Sequence, residues 1–249
     1  MKNKFLKKVI NLFGYKLIEK KLVKNNRILS KNAVLNLRLI LSNIFEKNNI
    51  KNLVQIGAND GISFDELNYF IKKNKVKSVL VEPIIENFLN LKNNYKNCDF
   101  IIFENSAISS HQKMYHLYKV DTKFVKNYGN HIPAIPSFDK NHLIKHGVKN
   151  SHIVKEKVNS ITIKDLINKY KIINLDLFFV DAEGYDGNIV TDLLNDTNLR
   201  PIIIFEYIHI DNIIFQNLIN LLTKKKFFYF NISECLIAFP EEEKIQISF

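Results

Sequence analysis

Val54-Gln55-Ile56-Gly57-Ala58-Asn59-Asp60-Gly61 is an apolar run that breaks on two glycines, and the next apolar run, Ser78-Val79-Leu80-Val81, ends on Glu82-Pro83. In an open α/β sheet, a buried strand gives way to a glycine turn and an acid closes the next strand about 20 residues later. Such a sheet holds an adenosine: backbone approaches the ligand at the glycines, and the carboxylate accepts from the ribose hydroxyls. The pattern therefore predicts an α/β fold that binds a nucleotide-type cofactor at the carboxyl ends of its strands.

The rest of the chain agrees with a parallel sheet. Short apolar runs without alternation recur at Asn52 to Ile56, Ser78 to Glu82, Asp99 to Glu104, Leu175 to Asp181 and Pro201 to Tyr207, as expected for strands buried on both faces. Helical periodicity fills the intervals at Ser63 to Lys73, Ile84 to Tyr95, Asn188 to Leu194 and Asn212 to Thr223. Phe227 to Ile232 and Cys235 to Phe239 flank Ser233-Glu234 as a closing hairpin. The fold expected is thus a Rossmann-like, mostly parallel seven-stranded sheet with an antiparallel last hairpin, the class I methyltransferase arrangement. Residues 109–158 are too long for a plain connection and hold six of the seven histidines. Long insertions in compact domains carry lids and binding loops, so this one is read as a cap that sets substrate specificity.

Only seven glycines are present, and four lie in two loops: Gly57 and Gly61 after the first strand, Gly184 and Gly187 after the fourth. Both loops fall at strand carboxyl ends and mark the active face. The first loop reads G-x-x-x-G rather than G-x-G-x-x-G, the spacing that cradles a pyrophosphate. A nicotinamide oxidoreductase is therefore a poor fit, whereas S-adenosyl-L-methionine presents an amino acid and a sulfonium instead.

Charge is unevenly placed. Of the formal +11, a net +8 falls within residues 1–27, so the body of the chain is nearly neutral and a broad nucleic-acid-binding face is not indicated. The basic segment suits either peripheral attachment to an anionic membrane or a helical extension packed on the domain or on a second copy in a homo-oligomer. Residues 1–46 are read as this helical extension, with a helix from 33 to 46, and 47–249 as the Rossmann-like domain. No apolar stretch is long enough to span a bilayer, and lysines interrupt any signal-peptide core. Cys98 and Cys235 are far apart in the sequence and lack metal-site spacing, which suits a reducing compartment. A cytoplasmic location is expected.

The runs Val54 to Gly61, Val81-Glu82-Pro83, Asn105-Ser106-Ala107, Ile161 to Leu166 and Leu177 to Gly184 occur in the order seen in the FkbM family of S-adenosylmethionine-dependent methyltransferases, which the chain resembles over roughly residues 50–210. The resemblance implies that Gly57, Asn59 and Gly61 contact the methionine part of the cofactor, Glu82 the ribose, and Asn105 or Ser106 the adenine. Gln55 stands where many methyltransferases carry an acid; Asp60 either compensates or caps the following helix. The family commonly methylates hydroxyls of sugars and related natural products. The expected activity is O-methylation of a sugar or nucleotide-sugar, as in surface polysaccharide (capsule) biosynthesis. A nucleic-acid methyltransferase and a non-catalytic module docked through the basic end are the alternatives.

Methyl transfer to oxygen needs a base close to the cofactor. Asp181, which also falls at the cofactor loop, and Glu183 lead; Glu206 and His209 end the next strand. Asp181, Glu206 and His209 would also suit Mg2+ or Mn2+. His142 and His146, four apart, could share a helix face as metal ligands, but no third ligand is evident, and a solvated or substrate-contacting pair is favoured. His111, His116, His131 and His152, with Lys113, Lys119, Lys123, Lys126 and Lys140, suit either a phosphate-bearing substrate or a solvated lid surface.

Overall fold

The computed structural model describes residues 36–111, 114–129 and 131–241. Five parallel strands form the centre of the main sheet: β1 (Asn52–Ile56), β2 (Lys77–Val81), β3 (Ile101–Glu104), β8 (Leu177–Val180) and β9 (Ile202–Glu206). Between β3 and β8 lie the short β4 (Ala107–Ile108) and β7 (Ser160–Ile161) and the antiparallel pair β5 (Tyr115–Val120) and β6 (Ile153–Val158). β10 (Phe227–Ile232) and β11 (Cys235–Pro240) close the chain, giving the order β10-β11-β9-β8-β1-β2-β3. β11 inserts between β9 and β10 and runs antiparallel to both. This is the seven-stranded, mostly parallel sheet of class I methyltransferases, with its antiparallel hairpin at the C-terminus.

Alternate residues of each central strand face opposite layers, and both layers are dry. Val54, Phe178 and Phe205 pack under α5 (Ile163–Lys169), α6 (Asp186–Asp196) and α7 (Asn212–Lys224). Leu53, Leu80 and Ile204 pack under α1 (Leu37–Lys47), α2 (Asn68–Asn74) and α3 (Ile85–Asn94). Helices on both faces explain why the strands read as unbroken apolar runs. Ile40, Leu41 and Ile44 of α1 have no exposed surface, so the helix expected in an N-terminal extension is part of the core of the domain. The basic segment 1–27 lies outside the described residues. No helix among the described residues is long and apolar enough to cross a membrane.

One helix differs from expectation. Residues 63–73 read as continuous helix, yet α2 begins only at Asn68. Two aspartates account for the difference. Asp60 accepts from the N–H groups of Ile62 and Ser63 (2.9 and 2.7 Å), and Asp65 from those of Leu67 and Asn68 (2.7 and 3.2 Å). Local side-chain acceptors of this kind compete with the helical ladder and hold residues 57–67 as a loop. Within the insertion, β5, β6 and the short helix α4 (Lys140–Lys145), called the cap below, enclose a small core of their own, including Val120, Ile135 and Leu143.

Candidate active site

Every carboxylate singled out in the sequence at a strand end sits on one edge of the sheet, around the point where the strand order reverses between β1 and β8. β1 runs into Gly57 (φ +77°), and a Cβ there would lie 1.8 Å from the carbonyl oxygen of Asp181. Only glycine lets the two strand ends come this close. Beside it, Glu82 is 5% exposed, and its two carboxylate oxygens accept from the N–H groups of Asn59 (3.0 Å) and Ile84 (2.8 Å). Burial outweighs these hydrogen bonds and pushes the Glu82 carboxyl up to about 7.

A cavity opens at this edge under the cap. Gln55, Gly57, Asn59, Glu82, Ser106 and Asp181 line it, with Glu183 at one end and cap residues Ile135, Pro136 and Phe138 above. Other expected cofactor residues instead support it from outside. Asp60 caps the turn at Ile62 and Ser63; those hydrogen bonds overcome the effect of burial and hold its pKa below the ordinary value. Gly61 (φ +73°) is pressed against Leu91 and Tyr95. Asn105 donates to the carbonyls of Glu82 (2.8 Å) and Pro83 (3.1 Å) and so fixes the turn that carries Glu82. Ser106 faces the cavity while donating to Glu104 (2.6 Å).

Asp65 also lines the cavity and was not singled out from the sequence. It accepts from the side-chain amide of Gln55 (3.3 Å), and burial raises its carboxyl to about 6. A carboxylate thus stands beside Gln55, supplied from ten residues later. Its signal was hidden because it falls inside the stretch 63–73 that reads as helix. Oε1 of Gln55 and Oδ2 of Asp65 are buried without a hydrogen-bond partner. Unsatisfied polar atoms in a cavity wall are suited to a polar ligand.

The methyltransferase FkbM domain family matches residues 55–229. The chain belongs to that family. Among solved structures, it is similar to the FkbM methyltransferase of Methylobacillus flagellatus at 13% identity and a TM-score of 0.47. That match covers 76% of this chain and 44% of the other, so the chain spans less than half that protein's length. It is also similar to the N-terminal domain of human METTL16 in complex with SAH (12% identity, TM-score 0.45, 93% and 78% covered). A third likeness is to the ribosomal protein L11 methylase of Lactobacillus delbrueckii subsp. bulgaricus (11%, 0.40, 81% and 75%). No curated protein matches the chain. An FkbM-family methyltransferase uses S-adenosylmethionine, and the residues present fit it: a glycine cradle, a buried ribose-type carboxylate and unpartnered polar atoms in the wall.

Another part of the cavity wall is built on the loop after β8. Burial, reinforced by the nearby Asp186 and Asp65 charges, raises Asp181 to about 7. Glu183 (φ +50°) and Glu206 are pushed to about 9, by burial first and then by neighbouring acids, Asp181 foremost. Asp186 has no exposed surface. It ties the loop together by accepting from the N–H groups of Ala182 (3.0 Å) and Gly184 (3.1 Å). Ser137 of the cap donates to the carbonyl of Glu183 (3.0 Å), which anchors the cap on this loop.

Glu206 and His209 lie beside this cavity rather than in its wall. Nε2 of His142 is 2.8 Å from Oε2 of Glu183, and Nε2 of His209 is 3.9 Å from Oε2 of Glu206. Burial lowers the pKa of His142, His146 and His209 and favours neutral rings. Among the described residues, ligating atoms converge in two sets, His142/His146/His209 and Glu183/Glu206/His209, each within 4.8 Å. The set expected from the sequence was Asp181, Glu206 and His209; the structure puts Glu183 in the place of Asp181. Of the histidines and lysines read as suiting a phosphate or a solvated lid, His131 lines the cavity, His152 stacks on Phe124 and contacts the hydroxyl of Tyr128 at 2.6 Å, Lys119 pairs with Glu156 at 2.5 Å, and Lys123 and Lys126 are exposed; Lys113 lies outside the described residues.

Proposed function

We propose that the chain is an O-methyltransferase acting on a hydroxyl of a sugar, free or nucleotide-activated, with Asp181 as the general base. The observation that carries this reading is that two buried carboxylates, Asp181 and Glu82, line the same cavity, Asp181 at the end of β8 and Glu82 at the end of β2. When bound, S-adenosylmethionine would supply an electrophilic methyl group and depart as S-adenosylhomocysteine when its C–S bond breaks.

Glu82 holds the ribose hydroxyls, and Gly57 and Asn59 bring main chain to the methionine end. The acceptor enters beneath the cap, where Pro136 and Phe138 offer apolar faces to a sugar ring. As the new C–O bond forms, the hydroxyl proton passes to the Asp181 carboxylate. A base titrating near neutrality is the most effective kind at neutral pH.

The direct test is a panel of sugars and nucleotide-sugars incubated with the chain and S-adenosylmethionine, read by mass spectrometry for a gain of one methyl group. Transfer to a sugar hydroxyl is expected. Transfer only to nitrogen, or only to RNA, would overturn the reading.

A further inference from the structure

We infer that His142, His146 and His209 form a binding site for a divalent transition-metal ion at the junction between the cap and the sheet edge, with Glu183 and Glu206 completing its ligands. The inference stands apart from the sugar acceptor and from the reaction.

Three separate segments build the cluster. α4 of the cap supplies His142 and, at its C-cap, His146, one helical turn apart; the end of β9 and the loop after it supply Glu206 and His209; the loop after β8 supplies Glu183. The three imidazoles pack together with ring centroids 4.6, 4.7 and 5.3 Å apart. The two convergent sets share His209 and so adjoin one another.

The second observation is independent of that convergence. Nε2 of His142, Oε2 of Glu183 and Oε2 of Glu206 are all buried without a hydrogen-bond partner. Of these, Nε2 of His142 and Oε2 of Glu183 face each other at 2.8 Å. Leaving a buried polar atom unpartnered costs about 1–3 kcal/mol, and three such atoms lie together here, each a good metal donor. A protonated histidine would satisfy one glutamate and leave the other. A cation beside His209 would be approached by donors of both sets.

The donor set selects the ion. Three imidazole nitrogens with carboxylate oxygens suit Zn2+ and its first-row neighbours, whereas Mg2+ prefers oxygen ligands alone. With Zn–N bonds of about 2.0–2.1 Å, nitrogens around a tetrahedral ion stand roughly 3.3 Å apart. The ligand atoms of each set already lie within 4.8 Å of one another, so binding would draw these atoms together and tie α4 to the sheet edge. Because Glu183 also lines the cofactor cavity, the ion would fix one end of that wall.

The test uses the full chain without an affinity tag, stripped with chelator and titrated with Co2+ by visible absorption, then with Zn2+ in competition. One Co2+ per chain, in a four- or five-coordinate spectrum displaced by one Zn2+, is expected. His209→Ala and the double variant His142→Ala/His146→Ala should each weaken binding at least a hundredfold, and Glu206→Gln about tenfold, while His116→Ala on the exposed face of β5 leaves it unchanged. Cooperative melting in chelator establishes that each variant is folded, and His209→Asn replaces any alanine variant that is not. Absence of stoichiometric binding to the wild type, or unchanged affinity in both histidine variants, would overturn the inference.

Discussion

Replacing Gly57 by alanine tests the geometry that joins the two halves of the site. Two costs can be worked separately. The left-handed backbone (φ +77°) penalises any L side chain by about 1–2 kcal/mol. The added Cβ would also sit 1.8 Å from the Asp181 carbonyl oxygen, so the ends of β1 and β8 must move apart by more than an ångström. That movement strains the 3.0 Å hydrogen bond from the Asp181 N–H to the Ile56 carbonyl. The total destabilisation is about 3–5 kcal/mol, which for a chain of this size lowers Tm by roughly 6–20 °C. Gly147→Ala is the control: its φ is +83°, but a Cβ there meets nothing within 4 Å, so only the conformational cost applies. Thermal denaturation of both variants should separate them by at least roughly 2 kcal/mol, and only Gly57→Ala should lose S-adenosylhomocysteine binding. If the two variants melt alike, the claimed close approach of the strand ends is wrong.

Three further outcomes follow from the same residues. Asp181→Asn should lower kcat by about two to four orders of magnitude while leaving S-adenosylhomocysteine affinity within severalfold, and the wild-type rate should rise with pH through about 7 as the carboxyl ionises; substantial activity in Asp181→Asn would rule it out as the base. Glu82 is raised from 4.5 to about 7 by burial, so the folded state binds the extra proton and stability falls as pH climbs from about 4.5 to 7. Urea denaturation should show Glu82→Gln lacking up to about 3 kcal/mol of that decline, and a pH slope equal to that of the wild type would refute it. Asp186→Ala strips two loop N–H groups of their acceptor and should cost about 2–4 kcal/mol, with faster amide exchange at Ala182 and Gly184.

The sheet was legible because its strands are buried on both faces: β1 falls on its expected boundaries, and the other central strands within two residues of theirs. The two glycine loops were legible for a related reason. In a chain with seven glycines, four at strand ends mark places where backbone must pass close to backbone or ligand. Side-chain destinations were not. Asp60 and Asp65 compete with a helix that periodicity alone predicts, and only the folded loop reveals that one caps a turn while the other faces the cavity. Asn105 looks the same in sequence whether it meets adenine or holds the carbonyls of Glu82 and Pro83. His142 and His146 lacked a third partner because His209 lies more than 60 residues away, on a different element. Contacts made by cap closure leave no periodic trace.

Isothermal titration of the full chain with S-adenosylhomocysteine, alongside Glu82→Gln, tests the central claim most directly. One molecule should bind per chain, and the variant, which retains the shape but loses the charged acceptor, should bind roughly ten- to a hundredfold more weakly. No binding by the wild type, or equal affinity in a folded Glu82→Gln, would contradict the assignment of this sheet edge as the cofactor site.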